Sequence, residues 1–176
     1  MGILSKVFNR ENAIDVLKLL ETQHKEVDAL FEAIEKGEGN KRALFTQLAD
    51  RLAAHATVEE KIFYPAVMAK ETNELLKESV EEHLAVKRVL ADLITMDLDN
   101  DAFMAKLLVL KEQVTHHAHK EEENKLFPKV KDLMTEDERL GLGNEVLAMF
   151  EELMQKHPYK NVPSETAMAA QLPPAK

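Results

Sequence analysis

Apolar residues return every three or four positions along most of the chain, the spacing that lines one face of a helix. From about Asn12 to Lys36 the stripe runs Leu17, Leu20, Val27, Phe31 and Ile34, with Asn12 as the expected N-cap and Gly37 and Gly39 as the stop. A second run, from about Lys41 to Ala69, carries Leu44, Leu48, Leu52 and Ile62, and Pro65 is expected to bend its last turns. Thr72 or Asn73 opens a third, through Leu76, Val80, Val86, Leu90 and Leu93. Asp99 or Asn100 opens a fourth, through Phe103, Leu107, Leu110, Val114, Leu126, Val130 and Leu133. Thr135-x-x-Glu138 spells a capping box for a fifth, shorter helix that reaches about Gln155 and is interrupted by Gly141 and Gly143. Beyond it periodicity ends and Pro, Ser and Ala become frequent, so 157–176 reads as a flexible tail. The predicted fold is all-α: an up-down-up-down antiparallel four-helix bundle over 12–134, after a leader at 1–11 and before an extra short C-terminal helix at 135–156.

The chain also repeats itself. Gln23-His24-Lys25-Glu26-Val27 is echoed by Glu82-His83-Leu84-Ala85-Val86, and Glu59 to Pro65 by Glu122 to Pro128. Two copies of one helical hairpin, related by an approximate twofold, would draw equivalent ligands to a site on their axis.

That site is suggested by polar residues standing where the stripes call for leucine. Helix one reads Leu20, His24, Val27; helix two Leu52, His55, Glu59, Ile62; helix three Val80, His83, Val86; helix four Val114, His117. At about 1.5 Å per residue the four histidines fall close to one plane across the bundle. On helix four the register counted forward reaches His117, whereas the register counted back from Leu133 reaches Glu122 or Glu123. A π-bulge would absorb the one-residue slip. The rival pairing, His119 with Glu123, needs none. His117 with Glu122 is preferred, because Glu122 and Glu59 both stand six residues before a proline.

A single interior histidine is usually a hydrogen-bonded core residue. Six polar groups at one depth are another matter, because each left unpaired costs roughly 1–3 kcal/mol against a total stability of about 5–15 kcal/mol. A cation held by neutral imidazoles and carboxylates compensates them directly, and such a metal is released as pH falls below about 6. Elsewhere, Tyr64, five residues after Glu59, reads as packing under the Pro65 bend in preference to a hydrogen bond toward that carboxylate, Glu121 to Glu123 as a largely solvated face with one member turned inward, and His157 as a bystander.

Composition then narrows the chemistry. With 32 acidic against 23 basic residues the formal net charge is -9, the wrong sign for a nucleic-acid binder. The absence of cysteine removes thiolate catalysis, zinc fingers and iron–sulfur ligation, so any metal must rest on His and carboxylate. No apolar run is long enough to cross a bilayer and the N-terminus carries no signal-peptide core, so a cytoplasmic protein is expected.

The set His24, His55-x-x-x-Glu59-Glu60-x-x-Phe63-Tyr64-Pro65, His83 and His117-x-x-x-x-Glu122-Glu123-x-x-Phe127-Pro128 resembles the hemerythrin-like (HHE cation-binding) family, over about residues 12–133. The resemblance implies a four-helix bundle enclosing a non-haem di-iron centre, with two Fe ions joined by Glu59, Glu122 and an oxo or hydroxo group. Oxygen-carrying members place two histidines one turn apart on the third helix; here Lys87 follows His83 at that spacing. The resemblance therefore implies binding of a small diatomic ligand (O2 or NO) or peroxide in sensing or stress response rather than oxygen transport. The alternatives are a di-iron enzyme with catalase-like or oxidase activity and a structural bundle holding an incidental cation.

Overall fold

A computed structural model describes residues 12–176; the leader read at 1–11 lies outside them. Helix α1 (Val16–Glu35) begins at Asp15, whose carboxylate accepts from the Leu17 backbone N–H at 2.9 Å. Asp15 replaces the expected Asn12 because it is also clamped by Arg139 at 2.7 Å, a contact across the fold that no local pattern records. Asn40 caps α2 (Lys41–Val58), which passes through a π turn (Glu59–Phe63) into α3 (Tyr64–Val67). Next come α4 (Asn73–Thr95), then α5 (Phe103–Thr115), which runs through a long π segment (His116–Leu126) into α6 (Phe127–Leu133). Helix α7 (Glu136–Gln155) and a 3-10 helix (Pro158–Glu165) close the chain. Every regular element among the described residues is a helix, with no strand. None of these helices is long and apolar enough to cross a membrane.

Both π turns have one cause. Pro65 and Pro128 have no N–H, so the regular ladder must fail just before them. In each hairpin the residue preceding the proline donates five positions back, Tyr64 to the Glu59 carbonyl and Phe127 to the Glu122 carbonyl. The slip expected on the fourth helix is thus present, and its counterpart in the second, which no register conflict announced, is a finding of the structure.

The core is two apolar clusters with a polar layer between them. Leu17, Leu20, Val58, Phe63, Leu76, Val80, Leu126 and Val130 belong to the first. Val27, Phe31, Leu48, Leu52, Leu90, Leu107 and Val114 belong to the second. Along each of the four long helical runs the histidine stands where the run leaves one cluster for the other.

Two expectations need correction. Helix α7 is not short or interrupted: at 20 residues it equals α1, and it runs straight through Gly141 and Gly143. A Cβ at Gly143 would lie 1.9 Å from the Ile14 carbonyl oxygen, so this glycine permits close helix approach and breaks nothing. Val146 and Phe150 then complete the first cluster. Nor does 157–176 stand free of the bundle. His157 takes a left-handed conformation (φ 53°) and donates to the buried Asp50 at 2.8 Å. Val162 is buried in the second cluster, and Ala169, Ala170 and Leu172 pack against the first. Isolated apolar residues without periodicity carry no local signal, so only the finished surface of α2 and α4 could reveal this strap.

Candidate metal centre

His24 projects from α1, His55 from α2 with Glu59 one turn on, His83 from α4, and His117 and Glu122 from the π segment. All six are buried, and both carboxylates fully so. The π geometry matters here, because a five-residue step lets His117 and Glu122 share a face that a regular helix would split.

Each imidazole is oriented from behind. Nδ1 of His24 donates to Glu123 at 2.7 Å, that of His55 to the Gln23 amide oxygen at 2.7 Å, that of His83 to Glu60 at 3.0 Å and that of His117 to Glu82 at 2.7 Å. The three carboxylates and the Gln23 amide oxygen accept, so each Nδ1 carries a proton and Nε2 is the nitrogen that faces inward. The inward nitrogens meet in two pairs, His24 with His55 at 3.2 Å and His83 with His117 at 3.0 Å.

The carboxylates lie between the pairs. Glu59 presents Oε1 to His55 Nε2 at 3.1 Å and Oε2 to His83 Nε2 at 3.2 Å. Glu122 Oε2 lies 3.2 Å from His24 Nε2 and 3.7 Å from His117 Nε2. Despite those distances, Glu59 Oε1 and Glu122 Oε2 make no hydrogen bond. Candidate ligand atoms therefore crowd at contact distance in a buried layer, an arrangement that protons or a cation between them relieve. The ligand atoms of His24, His55, Glu59 and Glu122 lie within 4.8 Å of one another, as do those of Glu59, His83 and His117, so Glu59 is common to two metal-sized groups.

The electrostatics demand positive charge. Burial by itself would lower the His24 imidazolium pKa, but Glu122 and Glu123 outweigh it and hold it up at about 9. Burial would raise the Glu59 carboxyl, yet His55, His117 and His83 keep it well below the usual carboxylate range. Without metal the cluster draws in protons to balance its carboxylates. A cation held by neutral imidazoles would balance them as well.

For Tyr64 the structure favours the hydrogen-bonding alternative over the preferred packing role. Rather than merely packing under Pro65, its hydroxyl donates to Glu122 Oε1 at 2.8 Å and lies 3.2 Å from His83 Nε2 and 3.4 Å from His117 Nε2. Burial, then Glu122 and Glu59, push its pKa well up, so the phenol keeps its proton. A signal was available: the repeat sets Tyr64 before Pro65 against Phe127 before Pro128, and the hydroxyl is the difference. His119 and Glu123, the rival pair on helix four, lie outside the polar layer, with Glu123 supporting His24 from behind. Glu121 is buried rather than solvated and pairs with Lys125 at 2.7 Å.

Beside the four imidazoles lies a cavity of about 40 Å3 walled by Val27, Leu52, Ala56, Val86, Val114 and Ala118. A water needs roughly 10–15 Å3 of such space, so the cavity suits a molecule of a few heavy atoms.

A helical bundle with a buried His/carboxylate layer able to hold cations is the class that this fold and site define. The chain belongs to the hemerythrin HHE cation-binding domain family, whose profile matches residues 15–130. Among curated proteins none matches it in sequence. Its fold is similar to the crystal structure of a hemerythrin HHE cation-binding domain-containing protein from Mycobacterium kansasii. The two share a TM-score of 0.72 and 23% identity, over 84% of this chain and 92% of that one.

Proposed function

We propose that the protein is a non-haem di-iron protein that binds O2, NO or peroxide, acting in sensing or stress response rather than in oxygen transport. The observation that carries this reading is the meeting of four inward-facing Nε2 atoms with the Glu59 and Glu122 carboxylates, each of which keeps one buried oxygen without a hydrogen bond. His24, His55, Glu59 and Glu122 would hold one ion, and His83, His117 and Glu59 the other. Imidazole and carboxylate donors without thiolate suit iron. When bound, the iron pair supplies open positions and redox chemistry for a small ligand.

The chain's own residues do the rest. Glu123, Gln23, Glu60 and Glu82 fix the tautomer and ring orientation of each histidine. The apolar cavity wall limits what can stand beside the imidazoles to molecules of a few heavy atoms. Tyr64 offers a hydrogen-bond donor on the His83/His117 side. The cluster-to-cluster alternation of the four histidine-bearing runs supports an up-down-up-down antiparallel order for the bundle.

Peroxide breakdown at the same centre is the second reading, favoured by the buried, protonated Tyr64 hydroxyl, which can orient a bound oxygen atom by a hydrogen bond inside the site. Elemental analysis with a visible spectrum of freshly purified protein tests the main reading. Two irons per chain with a ligand-dependent spectrum are expected, and well under one iron after growth in iron-replete medium would overturn it. Sustained oxygen release from added peroxide would favour the second reading.

A further inference from the structure

Three of the four histidines lean on carboxylates, and two departures break what would otherwise be a ring of four anions behind the centre. The first is Gln23. Its amide oxygen accepts from His55 Nδ1 at 2.7 Å, while its amide nitrogen is buried with no hydrogen-bond partner among the described residues. The repeat aligns Gln23-His24 with Glu82-His83, and Glu82 supports His117 at 2.7 Å as Gln23 supports His55. The amide therefore stands where the other hairpin keeps a charge. Glutamine and glutamate have the same shape, and His55 uses only an acceptor oxygen, which both supply. What the amide adds is an unsatisfied buried N–H group, which costs stability, and the loss of one negative charge.

The second is Lys87. It is 8% exposed and holds both oxygens of Glu60 at 2.9 Å, so the carboxylate behind His83 is neutralised where it stands. Glu165, 3.4 Å beyond, is 42% exposed and screened by water. Glu123, which the repeat aligns with Glu60, has only the imidazoles of His24 and His119 as partners. Gln23 and Lys87 thus fall on opposite halves. His24 and His55 share one charged flank, Glu123, and His83 and His117 share one, Glu82, whose partners are likewise imidazoles. With Glu59 and Glu122 inside, four carboxylates that lack an ammonium or guanidinium partner surround the space between the histidines. Two divalent cations carry the same number of charges, and two trivalent cations exceed it. In a buried layer an excess of either sign is costly.

We propose that Gln23 and Lys87 set the charge of the centre, each taking one negative charge from a flank, so that the layer is matched to a pair of divalent cations. Both are positioning residues: Gln23 acts through His55, and Lys87 through Glu60 and His83. The proposal rests on the di-metal reading above. A unit charge placed one hydrogen bond behind a ligating ring still acts strongly on an ion across a buried layer.

The test is the midpoint potential of the iron-loaded full-length protein, with Co2+ affinity of the iron-free protein as a second measure. Gln23→Glu and Lys87→Met each leave one more negative charge beside the centre. Each should favour Fe3+ over Fe2+ by at least about tenfold, a fall of at least about 59 mV for a one-electron step. Each should also tighten Co2+ binding by at least about tenfold in chelator competition. Gln23→Met, which loses the bond to His55 without adding charge, and Lys87→Arg, which keeps the charge, should not lower the potential. Moving the charge between hairpins, with Gln23→Glu and Glu82→Gln together, should reverse most of the fall. A smaller fall in either charge-adding single variant, or a double variant that falls as far as Gln23→Glu, overturns the charge matching; two irons per wild-type chain then leave the di-metal reading intact. Fewer than two irons in the wild type overturns both.

Discussion

His24 and His83 occupy matching places in the two hairpins, yet their surroundings have diverged. Glu123 behind His24 is shared with a partly exposed imidazole, whereas Glu60 behind His83 is locked by the buried ammonium of Lys87. His24 lies parallel to the Phe127 ring at 6.2 Å, while His83 stacks on Tyr64 at 5.5 Å and meets its hydroxyl. Helical repetition sets the four histidines at one depth, and side chains a turn away then make the halves unequal. The His83/His117 half carries an internal hydrogen-bond donor in Tyr64, whereas in the other half Phe127 offers only carbon to the His24 ring. A repeated scaffold thus gives its two halves unequal surroundings.

The largest test removes what the halves share. Glu59 faces both histidine pairs, so His55→Ala combined with Glu59→Ala should take bound iron from two per chain to none while circular dichroism shows the helices intact. Two irons retained would refute the ligand assignment, and one retained would mean that the halves bind independently.

A second comparison sets metal-free against metal-loaded protein across pH. In the metal-free state the folded His24 pKa of about 9 lies above its ordinary 6.5, so its pairing with Glu122 and Glu123 stabilises the fold fully below pH 6.5. That contribution, about 3 kcal/mol, is lost as pH rises through 9. Metal replaces the proton, so the loaded protein should keep its stability over that range in urea titrations. Parallel curves for the two forms would contradict this.

Smaller effects separate the flanks. Glu60→Gln and Glu123→Gln should each weaken metal binding by roughly 10–100-fold, read by chelator competition. Glu60→Gln should destabilise the metal-free fold by about 1–3 kcal/mol on both sides of pH 9, since it takes from the buried Lys87 its closest carboxylate, whereas the cost of Glu123→Gln should fade as pH rises through 9 and His24 loses its proton. The same pH dependence for the two variants would erase the distinction drawn between the flanks. Last, Tyr64→Phe makes the halves alike and should cost about 1 kcal/mol through the lost bond to Glu122, a drop of a few degrees in Tm with iron content unchanged.

Much of this was legible in the primary structure, and the rest fell out of reach for identifiable reasons. His24, His55, Glu59 and His83 could be placed because they interrupt apolar stripes of regular period. His117 and Glu122 required the added idea of a π slip, since that segment follows neither register alone. Tyr64 was misjudged because an aromatic residue beside a proline has an ordinary packing role, and nothing local tells a phenol that fills space from one aimed at a carboxylate. The strap at 158–172 and the cap at Asp15 were invisible because their partners, Asp50 and Arg139, lie far away in the chain.

Helical periodicity, the hairpin repeat and the absence of cysteine determine by themselves an all-helical protein with a polar layer of imidazole and carboxylate across its middle. These are local or compositional properties, readable residue by residue. Tertiary structure alone decides which nitrogen of each imidazole faces inward, which carboxylate is common to both pairs and where Tyr64 aims its hydroxyl. Each of those depends on side chains from different helices meeting at hydrogen-bond distance, and such distances exist only once the bundle has closed.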